Sequence, residues 1–160
     1  MKSNFFEYAA FVLLLVVMTA GCKNNEKDSN EFEIPFSEYS TENEDGIVTS
    51  GLDISWNNLK YDNKVIIVNS SEEMKKYIPD DIGNHYDIDF SKFSLLLASG
   101  KTNSGIFKRA DKFWQISKNE YRLDVEIELN DATIVQSWHL ALLTDKLYND
   151  SKISLNLIIK

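Results

Sequence analysis

Several residue groups in this chain have types that can do chemistry. His85, Asp87 and Asp89 fall within Asn84-His85-Tyr86-Asp87-Ile88-Asp89, where an imidazole and two carboxylates could hold a cation or share a proton. No EF-hand spacing accompanies them, and Asp89 precedes Phe90-Ser91, which favours capping or turn stabilisation. His139 stands beside Trp138 on the strand face that carries Val135, Ser137 and Ala141. A Ser/His/Asp triad could be drawn on paper, but no nucleophile-elbow segment presents the serine. Gly100-Lys101-Thr102 follows an apolar strand and imitates the end of a phosphate-binding loop. That loop needs a glycine five positions before Gly100, where Leu95 stands, and a helix after it, where Asn103-Ser104-Gly105 continues a turn. We expect no catalytic set, no metal site and no cofactor.

Aromatic residues offer a second kind of chemistry. Trp56, Phe113, Trp114 and Trp138 could stack on a sugar or a peptide, and Trp114 and Trp138 are the ligand-binding candidates. Aromatics at strand positions more often fill the core. Two exposed and adjacent rings would reverse that reading.

Cys22 is the only cysteine of the 160 residues. It therefore has no internal disulfide partner, and a single thiol in an exported chain needs another reason. The apolar run Ala9 to Ala20 supplies one. At twelve residues it reaches about 18 Å as a helix, against about 30 Å of bilayer hydrocarbon. It reads as a secretory signal over residues 1–21. Met18-Thr19-Ala20-Gly21-Cys22 resembles the lipobox of bacterial lipoproteins through Ala20, Gly21 and Cys22, with Thr19 in place of the usual leucine. The resemblance implies lipidation of Cys22 and a membrane anchor there. Several acyl chains on one residue make such an anchor effectively permanent.

The formal charge is −8, and it is unevenly placed. Residues 23–50 hold eight acids against Lys23 and Lys27, so a net −6 lies there and about −2 is left for the remainder. Nucleic-acid binding needs a clustered basic face and has no support. Residues 22–50 read as an acidic, flexible tether. Phe32, Ile34, Phe36 and Tyr39 interrupt its polarity and could dock on the domain or on a partner.

The domain is expected over residues 51–160. Leu52, Ile54 and Trp56 hint at an edge strand, and Val65 to Val68 read as a buried one. Ser70 and Glu73 have capping-box spacing at the start of a short helix over about 70–78, which Pro79 stops. Phe93 to Ala98 are apolar on both faces. Residues 106–116 read as one long or broken strand, interrupted near Asp111-Lys112. Tyr121, Leu123, Val125, Ile127 and Leu129 alternate with polar residues and give the clearest strand of the chain. Two more alternating strands follow, from Ile134 to Leu142 and from Ile153 to Ile159. These elements predict an α+β domain, mainly an antiparallel sheet or sandwich with one short helix.

Val65-Ile66-Ile67-Val68-Asn69-Ser70 running into Ser71-Glu72-Glu73, then Ile88-Asp89-Phe90-Ser91-Lys92, Leu95 to Gly100 and Ser104-Gly105-Ile106 carry a family resemblance. They resemble a domain of small Bacteroidetes-type lipoproteins and the C-terminal domain of the spirochaete protease-complex subunit PrcB. The resemblance implies a compact accessory domain in the bacterial cell envelope, anchored at the outer membrane, with a protein partner such as a protease. The expectation is therefore a non-enzymatic lipoprotein that binds a protein. The alternative is a glycan- or small-ligand-binding lipoprotein using its aromatics.

Overall fold

The computed structural model describes residues 31–42, 48–50, 56, 58–78 and 88–160. Among the described residues, ten strands and one helix follow one another as β1 (Phe32–Ile34), β2 (Phe36–Glu38), β3 (Ser40–Glu42), β4 (Val48–Ser50), β5 (Val65–Val68), α1 (Ser71–Met74), β6 (Phe93–Thr102), β7 (Ile106–Ser117), β8 (Glu120–Leu129), β9 (Gln136–Asp145) and β10 (Lys152–Ile159). Sheet 1 has the order β1-β7-β8-β10 and sheet 2 the order β2-β9-β6-β5, while β3 and β4 pair with each other. The result is a mostly antiparallel, sandwich-like β domain. With α1 only four residues long, the α+β expectation holds only loosely.

Alternation builds the core. Phe113, Tyr121, Leu123, Val125 and Ile127 of sheet 1 meet Leu96, Ala98, Trp138, Leu140 and Leu142 of sheet 2, all of them buried. The Phe113 and Tyr121 rings stack at 5.4 Å. Sheet 2 is also covered on its outer face. There Leu95, Leu97, Val68 and Ala141 lie under Tyr39, Trp56, Leu59 and Met74. This explains the two-sided apolar pattern of β6. Helix α1 plugs the outer layer with Met74. Its start is fixed by the Ser70 hydroxyl, which accepts from the Glu73 N–H at 3.2 Å, and by Glu73, which accepts from the Asn69 N–H at 2.8 Å.

Three expectations change, and one pairing departs from the antiparallel rule. The acidic segment is not a tether throughout, because β1 pairs with β7 and β2 pairs with β9. Pro35 lies between them, at the point where the chain passes from sheet 1 to sheet 2 and a missing N–H costs no ladder bond. Strand β7 runs unbroken through Asp111 and Lys112; its irregularities fall between Ile106 and Lys108 and between Gln115 and Ser117. Strand β9 starts at Gln136, leaving Ile134 exposed in the preceding loop. Finally, β10 lies parallel to β8. The two-residue link Lys118-Asn119 makes β7 and β8 a hairpin, whereas 130–135 and 146–151 are long enough to carry β9 into the other sheet and back. Of the expected edge strand through Leu52, Ile54 and Trp56, only Trp56 is among the described residues, and it belongs to no strand.

Candidate functional site

Cys22, His85 and Asp87 lie outside the described residues. Asp89 is described, and it stabilises a turn. Its Oδ1 accepts from the Ser91 N–H at 3.1 Å and the Ser91 hydroxyl at 2.5 Å, and its Oδ2 meets Lys92 Nζ at 2.7 Å. The Lys92 contact, aided by Ser91, lowers its carboxyl to about 2. Every residue of the phosphate-loop mimic has a structural task. Gly100 gives way to Trp138, because a Cβ there would come within 2.6 Å of the indole. Lys101 Nζ lies 4.6 Å above the Tyr61 ring, and the Thr102 hydroxyl donates to the Ser104 carbonyl at 2.7 Å.

His139 lies half-buried on the outer face of sheet 2, its ring 5.6 Å from that of Tyr61. Burial lowers its basicity. Ser99 is its cross-strand neighbour, but the Ser99 hydroxyl donates to the Lys60 carbonyl at 3.0 Å. No catalytic serine is paired with His139 among the described residues.

The two tryptophan candidates separate. Trp138 is 4% exposed and belongs to the core, so it offers no stacking surface. Trp114 lies on the opposite face of sheet 1, half-buried between Lys112 at 5.9 Å and Arg122 at 5.7 Å. Arg122 in turn meets Asp124 at 2.9 Å and Glu31 at 3.0 Å. A concave pair of rings is not formed by these two residues. Trp138 is in phase with Leu140 and Leu142, whereas Trp114 is out of phase with Phe113, and that phase difference is readable in the sequence.

The unusual polar group is one that sequence reasoning missed. Arg109 and Asp111 both point inward from β7, in phase with Phe113. Arg109 Nε donates to Asp111 Oδ2 at 3.1 Å, and Nη1 donates to the His139 carbonyl at 2.6 Å. The two side chains are only 14% and 10% exposed. Asp111 Oδ1 is buried with no hydrogen-bond partner among the described residues. Burial raises the Asp111 carboxyl; Arg109 opposes this and the charge of Glu38 reinforces it. The pair sits where β1 and β2 have ended, and Arg109 ties the β7 side of the seam to β9. Opposite charges at i and i+2 on the inward phase of a strand were the available signal.

Two ends of the sandwich have distinct surfaces. At one end, the 118–119 turn, the 146–151 loop and the start of β6 are joined by Lys152 N–H to Asn119 C=O and Lys146 N–H to Lys92 C=O. This end exposes Phe32, Phe93 and Tyr148, with Lys92, Lys118, Lys146 and Lys152 around them. At the other end, Gly105 N–H donates to the Ala132 carbonyl, and Phe107, Ile134 and Val135 are exposed. Phe107 and Val135 are 72% and 71% exposed, the most of any large apolar side chains described.

No protein-family model, curated protein or solved structure matches this chain. No helix among the described residues is long and apolar enough to cross a membrane.

Proposed function

We propose that this protein is a non-enzymatic lipoprotein of the bacterial envelope, anchored through Cys22, whose domain binds another protein. The carrying observation is where the domain begins. Phe32, the first residue of β1, lies ten positions after Cys22 and at the end of the sandwich that exposes aromatics and lysines. The nine intervening residues span at most about 30 Å, so an anchor at Cys22 holds this end close to the bilayer. Aromatic and lysine side chains suit the headgroup region. The opposite end, with Phe107, Ile134 and Val135, then faces away from the membrane and is the surface for a protein partner. The lipobox and family resemblances agree with this reading, and a protease complex is one setting that it fits.

The test has two arms. Cys22→Ser should move the protein from the membrane to the soluble fraction; retention in the membrane would refute the anchor. A photo-crosslinking residue at Val135 should capture a discrete partner in intact cells, whereas the same residue at exposed Glu72 of α1 should not. Equal labelling at both positions would refute the distal surface.

A further inference from the structure

β10 closes sheet 1 on one side, and its backbone follows a strict alternation. Lys152 N–H donates to the Asn119 carbonyl and Lys160 N–H to the Ile127 carbonyl, while Leu129 N–H donates to the Lys160 carbonyl. The register between these points is unbroken, from Lys152 opposite Glu120 to Ile159 opposite Ile127. In a parallel ladder, one residue in two bonds its neighbour with both backbone groups. Ser154, Asn156 and Ile158 therefore share the set of Lys152 and Lys160, turned towards β8. The N–H and C=O groups of Ile153, Leu155, Leu157 and Ile159 point the other way. Strand β5 comes near β10, but among the described residues no strand pairs with that side of β10.

Of the same four residues, Ile153, Leu155 and Leu157 pack at the edge of the core, and Ile159 is exposed at the strand's end. Between Lys152 and Lys160 the strand has no charge, proline, glycine or bulge. Such a flat, regular edge is a template for strand addition.

We propose that β10 pairs antiparallel with β10 of a second copy of this chain, about a two-fold axis at Asn156. The register is self-complementary. Ile153 then faces the partner's Ile159, and Leu155 faces the partner's Leu157. Every outward N–H and C=O of the four residues is satisfied, and the apolar faces of the two sheets become continuous. Moving the axis to Leu155 or Leu157 leaves some of these groups unpaired. Moving it by half a residue turns apolar side chains against polar ones. Lys152 faces the partner's Lys160, but Lys160 Nζ is already held by Glu126 at 2.5 Å, which offsets that repulsion. The inference concerns the domain alone and does not depend on the anchor.

The experiment uses the chain carrying Cys22→Ser, so that no native thiol is present. Sedimentation should give a dimer at micromolar concentrations. Asn156→Cys places two thiols opposite each other and should form an intermolecular disulfide under mild oxidation. Ser154→Cys, facing the partner's Ile158, should not. Asn156→Lys sets like charges opposite each other and should weaken the dimer about fivefold or more. Asn156 is exposed, so the variants should fold, as circular dichroism will check. A monomer at all concentrations would overturn the proposal. So would equal cross-linking at 154 and 156, or a dimer unaffected by Asn156→Lys.

Discussion

The two sides of sheet 1 meet their surroundings in opposite ways. On the β7 side, β1 covers only Phe113 to Gln115. The rest of that strand carries an irregularity beside Phe107 and two inward charges, Arg109 and Asp111. Bulges and inward charges deter a foreign strand, because pairing would drag the charges into an apolar contact. On the β10 side, eight regular residues present four apolar side chains on the core-side phase and no inward charge. One edge is guarded and the other plain. Burying an ion pair seldom adds stability over apolar residues of the same size. The guard is therefore better understood as specificity, keeping addition off β7 while β10 stays open to it.

Removing half of the guard should have the largest effect. Arg109→Met strands the Asp111 carboxylate beside Glu38 and leaves the His139 carbonyl without its donor. Urea denaturation should show a loss of about 3–5 kcal/mol. A loss below about 1 kcal/mol would mean that the seam is held by apolar packing alone. Next in size is Ile34→Ala, which thins the short cover over β7. Ile34 is only partly buried, so the expected loss is about 1–2 kcal/mol, below that of a full core truncation.

Acid should separate the two edges further. Burial raises the Asp111 carboxyl above its unfolded value of 3.8. The folded state therefore binds more protons than the unfolded chain at pH values just above 3.8, and this group loses stability as pH rises through that window. Asp111→Asn removes the dependence and keeps an acceptor for Arg109. Its effect on stability at neutral pH should stay within about 1 kcal/mol. Plotted against pH, the stability of the parent minus that of Asp111→Asn should fall from acid towards neutral. A rise would show that Arg109 outweighs burial. Asp89 runs the opposite way: lowered to about 2, it adds stability above the ordinary carboxylate range and loses it as pH falls from about 4 to about 2.

Much of this was legible in the residues, and the exceptions have physical causes. The inward phase of β8, the two-sided burial of β6, the Ser70 cap and the turn at Asp89 each follow from local chemistry. The strands β1 and β2 were hidden by Glu31, Glu33 and Glu38, which dilute the apolar phase of Phe32, Ile34 and Phe36. Those acids are tolerable because the segment lies at sheet edges, where Glu31 reaches Arg122. The direction of β10 could not be read from alternation, since a parallel and an antiparallel strand bury the same phase. It depends on loops that cross between sheets. Asp111-Lys112 reads as a break in β7 because an isolated inward charge is costly. Only the fold reveals that Asp111 pairs with Arg109 through Oδ2 and that Arg109 also donates to an edge carbonyl.

The smallest effect on stability should come from moving a guard onto the plain edge. Ile159 is 49% exposed at the end of β10, and its backbone groups point away from β8. Ile159→Lys should change monomer stability by no more than about 0.5 kcal/mol. In the paired state, however, that position faces the partner's Ile153 on the core side of the sheet, where a charge resists burial. Sedimentation should therefore shift towards monomer while the denaturation midpoint measured at high dilution stays where it was. A variant that remains dimeric would show that an inward charge is no deterrent at this edge. The contrast between β7 and β10 would then reflect how each strand packs, and not which partners each admits.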